Sequence, residues 1–345
     1  MINKNSFLGS AGAALKKFAS RPDFSVVVIF VVMVIISAIL QDNFFEHRAM
    51  SRNINAYAPL ALMAMGQAIV MISGSVDLSC GSNLSMQICI LTYVMKAGEP
   101  VTGVYGLIIC FAAAIAVGML NGFGVGYLRM QPIVLTFATS YMCLGTALFI
   151  RPTPGGQCTN WFKMFYSFGF VDGAPSWLVS FGSYFPPVLF LVILACILWF
   201  VLSRTRTGRY IYAVGSNRDN AYATGINTGK VQMMAYVANS VIIFLVAVFF
   251  AAQNQSGDAR MGDPMTLRAI AAAVVGGIAL SGGQGSVYFG ILGALTLSLV
   301  NKAIFFANIP NAYQMLVNGL IVILAISSSA IYSFVGKKMA FRAEG

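Results

Sequence analysis

Charge is what this sequence has least of. Only 9% of its 345 residues are Asp, Glu, Lys or Arg, and 58% are hydrophobic. A soluble domain carries about a quarter charged residues. So few charges cannot clothe a water-facing surface of this size, and lipid must cover most of it. Acid is scarcest, with 10 Asp and Glu against 21 Lys and Arg. The one histidine, His47, falls in a polar connection and reads as solvated. No Ser/His/Asp or paired-carboxylate arrangement argues for catalysis. No G-x-x-x-x-G-K-[ST] occurs: Gly229-Lys230 and Gly336-Lys337 lack both the upstream glycine and the following Ser or Thr. ATP hydrolysis, if it drives anything here, belongs to another subunit. The cysteines form no C-x-x-C pair and no metal-ligand spacing. Cys80, Cys89, Cys110, Cys143 and Cys196 lie in or beside apolar runs and Cys158 sits in a loop. All read as small apolar fillers. No basic stretch laced with aromatics suggests nucleic acid, and no stretch is polar enough for a separate soluble domain.

What the sequence has is apolar runs, with mean hydropathy +0.80. A spanning helix takes roughly 20 mostly apolar residues. On that measure the crossings are Phe24–Leu40, Ala56–Ser73, Cys80–Val94, Val101–Tyr127, Ile133–Ile150, Pro186–Leu202, Met233–Ala252, Ala269–Leu280, Val287–Leu299 and Met315–Val335. The expected fold is all-α: a polytopic membrane protein of about ten transmembrane helices with two broken or re-entrant segments. Ala269–Leu280 is too short to span alone and must extend into its flanks or break inside the protein. The first run follows Lys4, Lys16, Lys17 and Arg21 in signal-peptide order, but it is long for one and no small-x-small site follows, so an uncleaved first helix is expected.

Basic residues orient such a chain. Lys4, Lys16, Lys17, Arg21, Arg129, Arg204, Arg206, Arg209, Arg218, Lys230, Lys337, Lys338 and Arg342 fall on the side that also holds both termini, and the Arg204–Lys230 stretch carries a single acid, Asp219. Residues 1–22 are expected to be a cytoplasmic N-terminal segment and 23–335 one transmembrane domain. Residues 204–231 form its cytoplasmic loop and 336–345 a cytoplasmic tail. The connection from Arg151 to Phe185, rich in Pro, Gly and aromatics, is expected to lie flat on the outer surface.

Two stretches are too small and polar for lipid-facing helix: Met71-Ile-Ser-Gly-Ser-Val-Asp-Leu-Ser-Cys-Gly-Ser82 and Gly276-Gly-Ile-Ala-Leu-Ser-Gly-Gly-Gln-Gly-Ser286. Such breaks survive at membrane depth only where protein or a water-filled cavity covers them, and broken helices are one way to line a solute path. Gly74-x-Val-x-Leu-Ser79 echoes Gly276-x-Ile-x-Leu-Ser281. An internal repeat and chance both remain open. Ser75, Asp77, Ser79, Asn121, Ser281 and Gln284 are the candidate pathway residues. Asp77 has three readings: direct solute contact, the commoner job of capping the helix that begins near Ser79, or a place at the cytoplasmic end of a hairpin. Gln67, Asn121, Thr136, Asn239 and Asn318 are the remaining polar groups inside apolar runs, where bonding between helices is the usual role.

At the first break a family becomes recognisable. Gly66-Gln-Ala-Ile-Val-Met-Ile-Ser-Gly-Ser-Val-Asp-Leu-Ser-Cys-Gly-Ser82 resembles the GGIDLSVGS signature of ribose-type sugar ABC permeases, within the branched-chain/simple-sugar permease family. Asn121-Gly122 with Gln131-Pro-Ile-Val-Leu-Thr136 resembles that family's next block. Thr205-Arg-Thr-Gly-Arg-Tyr-Ile-Tyr-Ala-Val-Gly-Ser-Asn217 with Ala221-Tyr-Ala-Thr-Gly-Ile-Asn227 resembles its large cytoplasmic loop. Ala271-Ala-Ala-Val-Val-Gly-Gly277 and Ser281-Gly-Gly-Gln-Gly-Ser286 resemble its last strong block. The blocks run in family order from about residue 55 to 335. This chain departs from the pattern at Ser75 and Cys80, where Gly and Val are common. It departs again at Arg218-Asp-Asn-Ala221, where two acids and two alanines are usual, and at Thr224, where the pattern has Ser.

The resemblance implies a multi-pass protein of the bacterial inner membrane, with two permease chains, identical or paired with a relative, forming one pathway. It implies an extracytoplasmic solute-binding protein and a cytoplasmic ABC ATPase that binds the ATP and magnesium, so that no cofactor belongs to this chain. It also implies ATPase coupling through Asp219, Asn220, Ala221, Thr224, Gly225, Ile226 and Asn227. A short Ala-bearing segment ending at Gly225 suits a stub helix there. Few charges in the presumed path favour a sugar or similar neutral polar solute, because a charged one would want a fixed counter-charge. A nucleoside is an alternative cargo within the family. An ion-coupled secondary transporter is a different class, and it would normally carry more intramembrane ionisable groups than Asp77.

Overall fold

The structure is a computed structural model and describes residues 23–41, 43–168 and 175–310, with isolated positions between 313 and 323. The expected terminal segments 1–22 and 336–345, nearly all of the crossing Met315–Val335, and Asn318 lie outside the described residues. Helices α1 to α5 are Asp23–Leu40, His47–Ile72, Cys80–Val94, Pro100–Gly126 and Pro132–Ile150. A 3-10 turn over Asn160–Phe165 precedes α6 (Ser176–Tyr184) and α7 (Val188–Arg204). Then come α8 (Arg206–Ser216), α9 (Arg218–Ala223), α10 (Thr228–Asn254), α11 (Asp263–Val275) and α12 (Val287–Phe306). Among the described residues there is no strand, only an isolated bridge between Gly155 and Gly257.

Among the described residues five helices are long and apolar enough to cross a membrane: α2, α4, α5, α10 and α12. The pair α6 and α7, bent by 66° at the break that Pro186 and Pro187 occupy, makes a sixth if it is counted as one broken span. The expected count of about ten is therefore not reached among the described residues. The reason is length: α3 has 15 residues and α11 has 13. The Ala269–Leu280 run resolves into both of its options. The helix extends back to Asp263 and breaks at Gly276.

Helix α2 is central. Of its apolar stretch 78% is buried, against 22% for α5, whose exposed Phe137, Tyr141 and Phe149 face outward. A helix apolar all round belongs inside other helices, and α2 is enclosed by α10, α11 and α12 with α7 alongside. The most extensive packing is between α4 and α10. Gly118, Gly122 and Gly126 recur every four residues on α4 and let the backbones touch. A Cβ at Gly122 would stand 2.5 Å from Met233 Cα, and one at Gly126 2.5 Å from the Gly229 carbonyl oxygen. All the cysteines are buried except half-buried Cys196.

Two of the connections gain definition. The loop after Arg151 runs through the 3-10 turn over Asn160–Phe165. It is pinned onto the helix ends: Trp161 Nε1 donates to Pro100 O at 2.9 Å, Phe162 is fully buried, and Gly155 and Gly257 exchange backbone hydrogen bonds. His47 is not in a loop, since α2 begins with it. Its ring is exposed but stacks on Tyr184 at 4.8 Å.

Candidate functional site

Both breaks start with the same stop. At the end of α2, Gly74 turns left-handed (φ 84°), its N–H bonds Met71 O, and the next N–H, of Ser75, reaches back to Val70 O. At the end of α11, Gly277 (φ 80°) bonds Val274 O and Ile278 bonds Ala273 O. This is the Schellman cap, which satisfies the orphan carbonyls of a helix end and calls for glycine. The match sets Gly74 against Gly277, one residue off the echo seen in the sequence.

The first break is then wrapped in side chains. Asp77, with 1% of its surface exposed, turns its carboxylate toward the start of α3. Oδ1 accepts from the Ser79 N–H at 2.8 Å and from Ser79 Oγ at 2.6 Å, and Oδ2 accepts from Asn239 Nδ2 on α10 at 2.8 Å. Asn121 Nδ2 on α4 donates to Ser79 Oγ at 2.9 Å. With its amide assigned by the surrounding donors and acceptors, Gln67 on α2 pairs with both peptide groups of Asp77, accepting from its N–H at 3.1 Å and donating to its carbonyl at 3.3 Å. Thr136 on α5 accepts from the Leu78 N–H at 3.0 Å. Tyr236 on α10 donates to Val76 O at 3.3 Å. The Asn239 side-chain oxygen lies where a Cβ on Gly66 would be, so glycine there makes room for the amide.

No cation pairs with Asp77. The one salt bridge among the described residues joins Lys96 and Glu99 on the surface. The carboxylate is held by neutral donors and by the positive end of α3, which together satisfy a buried charge only if each bond is made. Ser75 joins a neighbouring cluster: its hydroxyl donates to Gln232 Oε1 at 2.9 Å, and Gln232 Nε2 donates to Ser73 O at 2.8 Å. Of the pathway candidates, then, Asp77, Ser79 and Asn121 are directly bonded, and Ser75 lies one step away. Ser281 and Gln284 are exposed and outside this network. Sequence reading missed Gln232 and Tyr236. With Asn239 they stand at i, i+4 and i+7 on one face of α10. Starting that crossing at Met233 cut off the first of them.

The second break is held by backbone. Gly277, Gly282, Gly283 and Gly285 all have positive φ. The Gly283 N–H donates to Ile72 O at 2.8 Å, and a Cβ at Gly282 would lie 2.6 Å from Gly74 Cα. A Cβ on Gly215, near the end of α8, would collide with Ile72 O. The two breaks and the end of α8 thus meet at one glycine vertex.

From that vertex the chain enters α9. Asn217 caps it, its Oδ1 accepting from the Asn220 N–H at 2.8 Å. Gly225 (φ 83°) ends it with a Schellman pair, Gly225 N–H to Tyr222 O and Ile226 N–H to Ala221 O. The sequence pointed to a stub ending at Gly225, and the chain forms one. Ala221 is buried beneath it, while Asp219, Asn220, Tyr222, Thr224, Gly225 and Asn227 are exposed and Ile226 is half-buried. Asn227 Oδ1 in turn accepts from the Lys230 N–H, capping α10. A groove of about 670 Å³ opens between this corner and the end of α4, lined by Tyr127, Arg129, Tyr222 and Ile226 among others. Burial first, and then the Arg129 guanidinium, lower the proton affinity of Arg218, with Asp219 partly opposing them. An arginine remains charged at neutral pH all the same.

Apolar helices packed through glycine contacts, interrupted twice around polar groups and joined to an exposed, doubly capped stub, make a solute permease the class that fits. The comparisons with known proteins make this specific. The chain belongs to the family described as branched-chain amino acid transport system / permease component, whose model matches residues 49–326. It is 28% identical over 310 residues to the ribose import permease protein RbsC of Escherichia coli, covering 88% of this chain and 91% of that protein. It is 26% identical to the D-allose transport system permease protein AlsC of Escherichia coli, over 88% of this chain and 91% of that one. To the autoinducer 2 import system permease protein LsrC of Photorhabdus laumondii it is 26% identical, over 90% of each chain. No solved structure matches significantly.

Proposed function

We propose that this chain forms the membrane pathway of an ABC importer for a neutral polyhydroxylated solute of the sugar class, driven by a separate cytoplasmic ATPase that binds ATP and magnesium. The carrying observation is the family match over residues 49–326 together with near-full-length relatives named for the import of ribose and the transport of D-allose. Among the described residues no cation pairs with Asp77 at the first break, which accords with a neutral cargo.

In this reading the short apolar helices α1, α3 and α11 complete the crossings, toward about ten with the segment beyond residue 310. Both termini are cytoplasmic, on the side of the basic Arg204–Lys230 stretch, in the bacterial inner membrane. Two permease chains share the pathway, and an extracytoplasmic binding protein delivers the solute. Ser281 and Gln284, exposed on the second break, face the solute. Ser75, Asp77, Ser79 and Asn121 form the frame beneath them. The exposed residues Asp219, Asn220, Thr224, Gly225 and Asn227, with buried Ala221 and half-buried Ile226 as the stub's footing, couple to the ATPase, because a capped helix moves as a rigid piece.

The test is reconstitution in lipid nanodiscs with the candidate ATPase, measuring ATP hydrolysis with and without the binding protein loaded with ribose, allose or related sugars. Hydrolysis should require the permease, rise with the loaded binding protein, and collapse in Gly225→Pro, since proline cannot adopt φ 83°. If no ATPase associates, and proteoliposomes instead accumulate sugar under a proton gradient, the ABC assignment is wrong.

A further inference from the structure

We infer that Arg218 is a positioning residue that fastens the stub helix α9 to the end of α4, so that movement of the stub is passed into the membrane helices. The inference rests on the importer reading above and adds the element through which the stub acts. Arg218 is the first residue of α9 and half-buried. Its Nη2 donates to Gly126 O at 2.7 Å and to Val125 O at 3.3 Å. These are among the last carbonyls of the 27-residue helix α4. The N–H groups that follow bond elsewhere: Tyr127 and Leu128 to Phe123 O, and Met130 to Gly124 O. Carbonyls at a helix C-terminus have no intrahelical partner and carry the negative end of the helix dipole, so a guanidinium there satisfies both needs at once. The planar, multi-donor head makes both bonds from one rigid group, which an ammonium cannot match in geometry.

What lies beyond the clamp makes it mechanically relevant. Gly126 is in backbone contact with Gly229 at the start of α10. Five residues back along α4, Asn121 donates to Ser79, and Ser79 donates to Asp77. Asp77 is bound on its other oxygen by Asn239 of α10. A displacement of α9 therefore has a continuous route of helix and hydrogen bonds into the first break. Without the guanidinium, α9 loses these two hydrogen bonds to α4 and can shift without taking α4 along.

The experiment uses proteoliposomes holding the permease, its ATPase and its binding protein, with labelled ribose or whichever sugar the wild-type complex takes up. The quantity read is sugar taken up per ATP hydrolysed. Arg218→Ala is expected to lower this ratio at least fivefold. Arg218→Lys, which keeps the charge and N–H donors but loses the planar head, should recover part of it, and Arg218→Glu, facing the same carbonyls with the wrong sign, should be worst. A residue that merely supports folding would reduce uptake and hydrolysis in proportion and leave the ratio unchanged, and that result overturns the inference. If Arg218→Ala does not accumulate in the membrane, Arg218→Lys and Arg218→Gln carry the same comparison. A wild-type complex that neither binds an ATPase nor hydrolyses ATP sinks the importer reading itself, whereas a coupled wild type with an unaltered ratio in all variants sinks only the role of Arg218.

Discussion

Helices α2 and α11 end on the same glycine cap, yet the chain that follows each is secured by different means. After Gly74 five residues lead into α3, and side chains from α2, α4, α5 and α10 bond to them. After Gly277 nine residues lead into α12, and three further glycines of positive φ carry the turns while Ser281 and Gln284 stay exposed. At the first break, side-chain hydrogen bonds stand in for the helix ladder, as burial in a membrane protein demands. At the second, backbone shape does that work and leaves side chains free for other contacts. One break is built as a frame and the other as a surface, and that difference is open to direct attack.

The largest expected effect is at Asp77. Asp77→Ala strands the Ser79 N–H and the Asn239 amide, each at about 1–3 kcal/mol for an unsatisfied buried donor, offset in part by no longer burying a charge. A net loss of about 2–4 kcal/mol should appear as a lowered unfolding midpoint of the purified permease. If Gln284→Ala costs as much, the two breaks are not held differently and the comparison fails.

Next comes the vertex. Gly215→Ala places a Cβ against Ile72 O, backbone on backbone, with no flexible side chain to yield. Overpacking of this kind costs about 1–3 kcal/mol. Gly225→Ala makes the informative partner. It has the unfavourable φ of 83° but nothing within 4 Å of the new Cβ, so only the conformational term of about 1 kcal/mol applies. Thermal unfolding of both variants separates contact from strain. A larger loss at Gly225 than at Gly215 would mean that the three backbones do not meet as described.

Much of this was legible in the sequence because it rests on local rules. The limits of α3 follow from Ser79 and the apolar run after it, and the stop of α9 follows from Gly225. Gln67, Asn121, Thr136 and Asn239 stand out as polar residues in apolar runs. Their convergence on Val76–Ser79 does not follow from spacing, because they come from four different helices. Only the Gln232–Tyr236–Asn239 face of α10 carried a periodic signal. The clamp at Arg218 was visible merely as a departure from a pattern, since its partners are backbone carbonyls some ninety residues away, and a sequence does not mark carbonyls.

The smallest effect on stability, and the most telling for transport, belongs to the second break. Gln284 is exposed and its side chain makes no hydrogen bond among those described, so Gln284→Ala should change stability by no more than about 0.5 kcal/mol. If the side chain meets the sugar in transit, losing one neutral hydrogen bond of about 0.5–1.5 kcal/mol corresponds to a roughly two- to tenfold drop in sugar uptake. Hydrolysis stimulated by the loaded binding protein should persist, because the stub and its clamp are untouched. Unchanged uptake in the Ser281→Ala, Gln284→Ala double variant would remove the second break from the solute path and turn attention to the groove at the C-terminal end of α4. A fall in stability together with uptake would mean that the second break, like the first, is frame rather than surface.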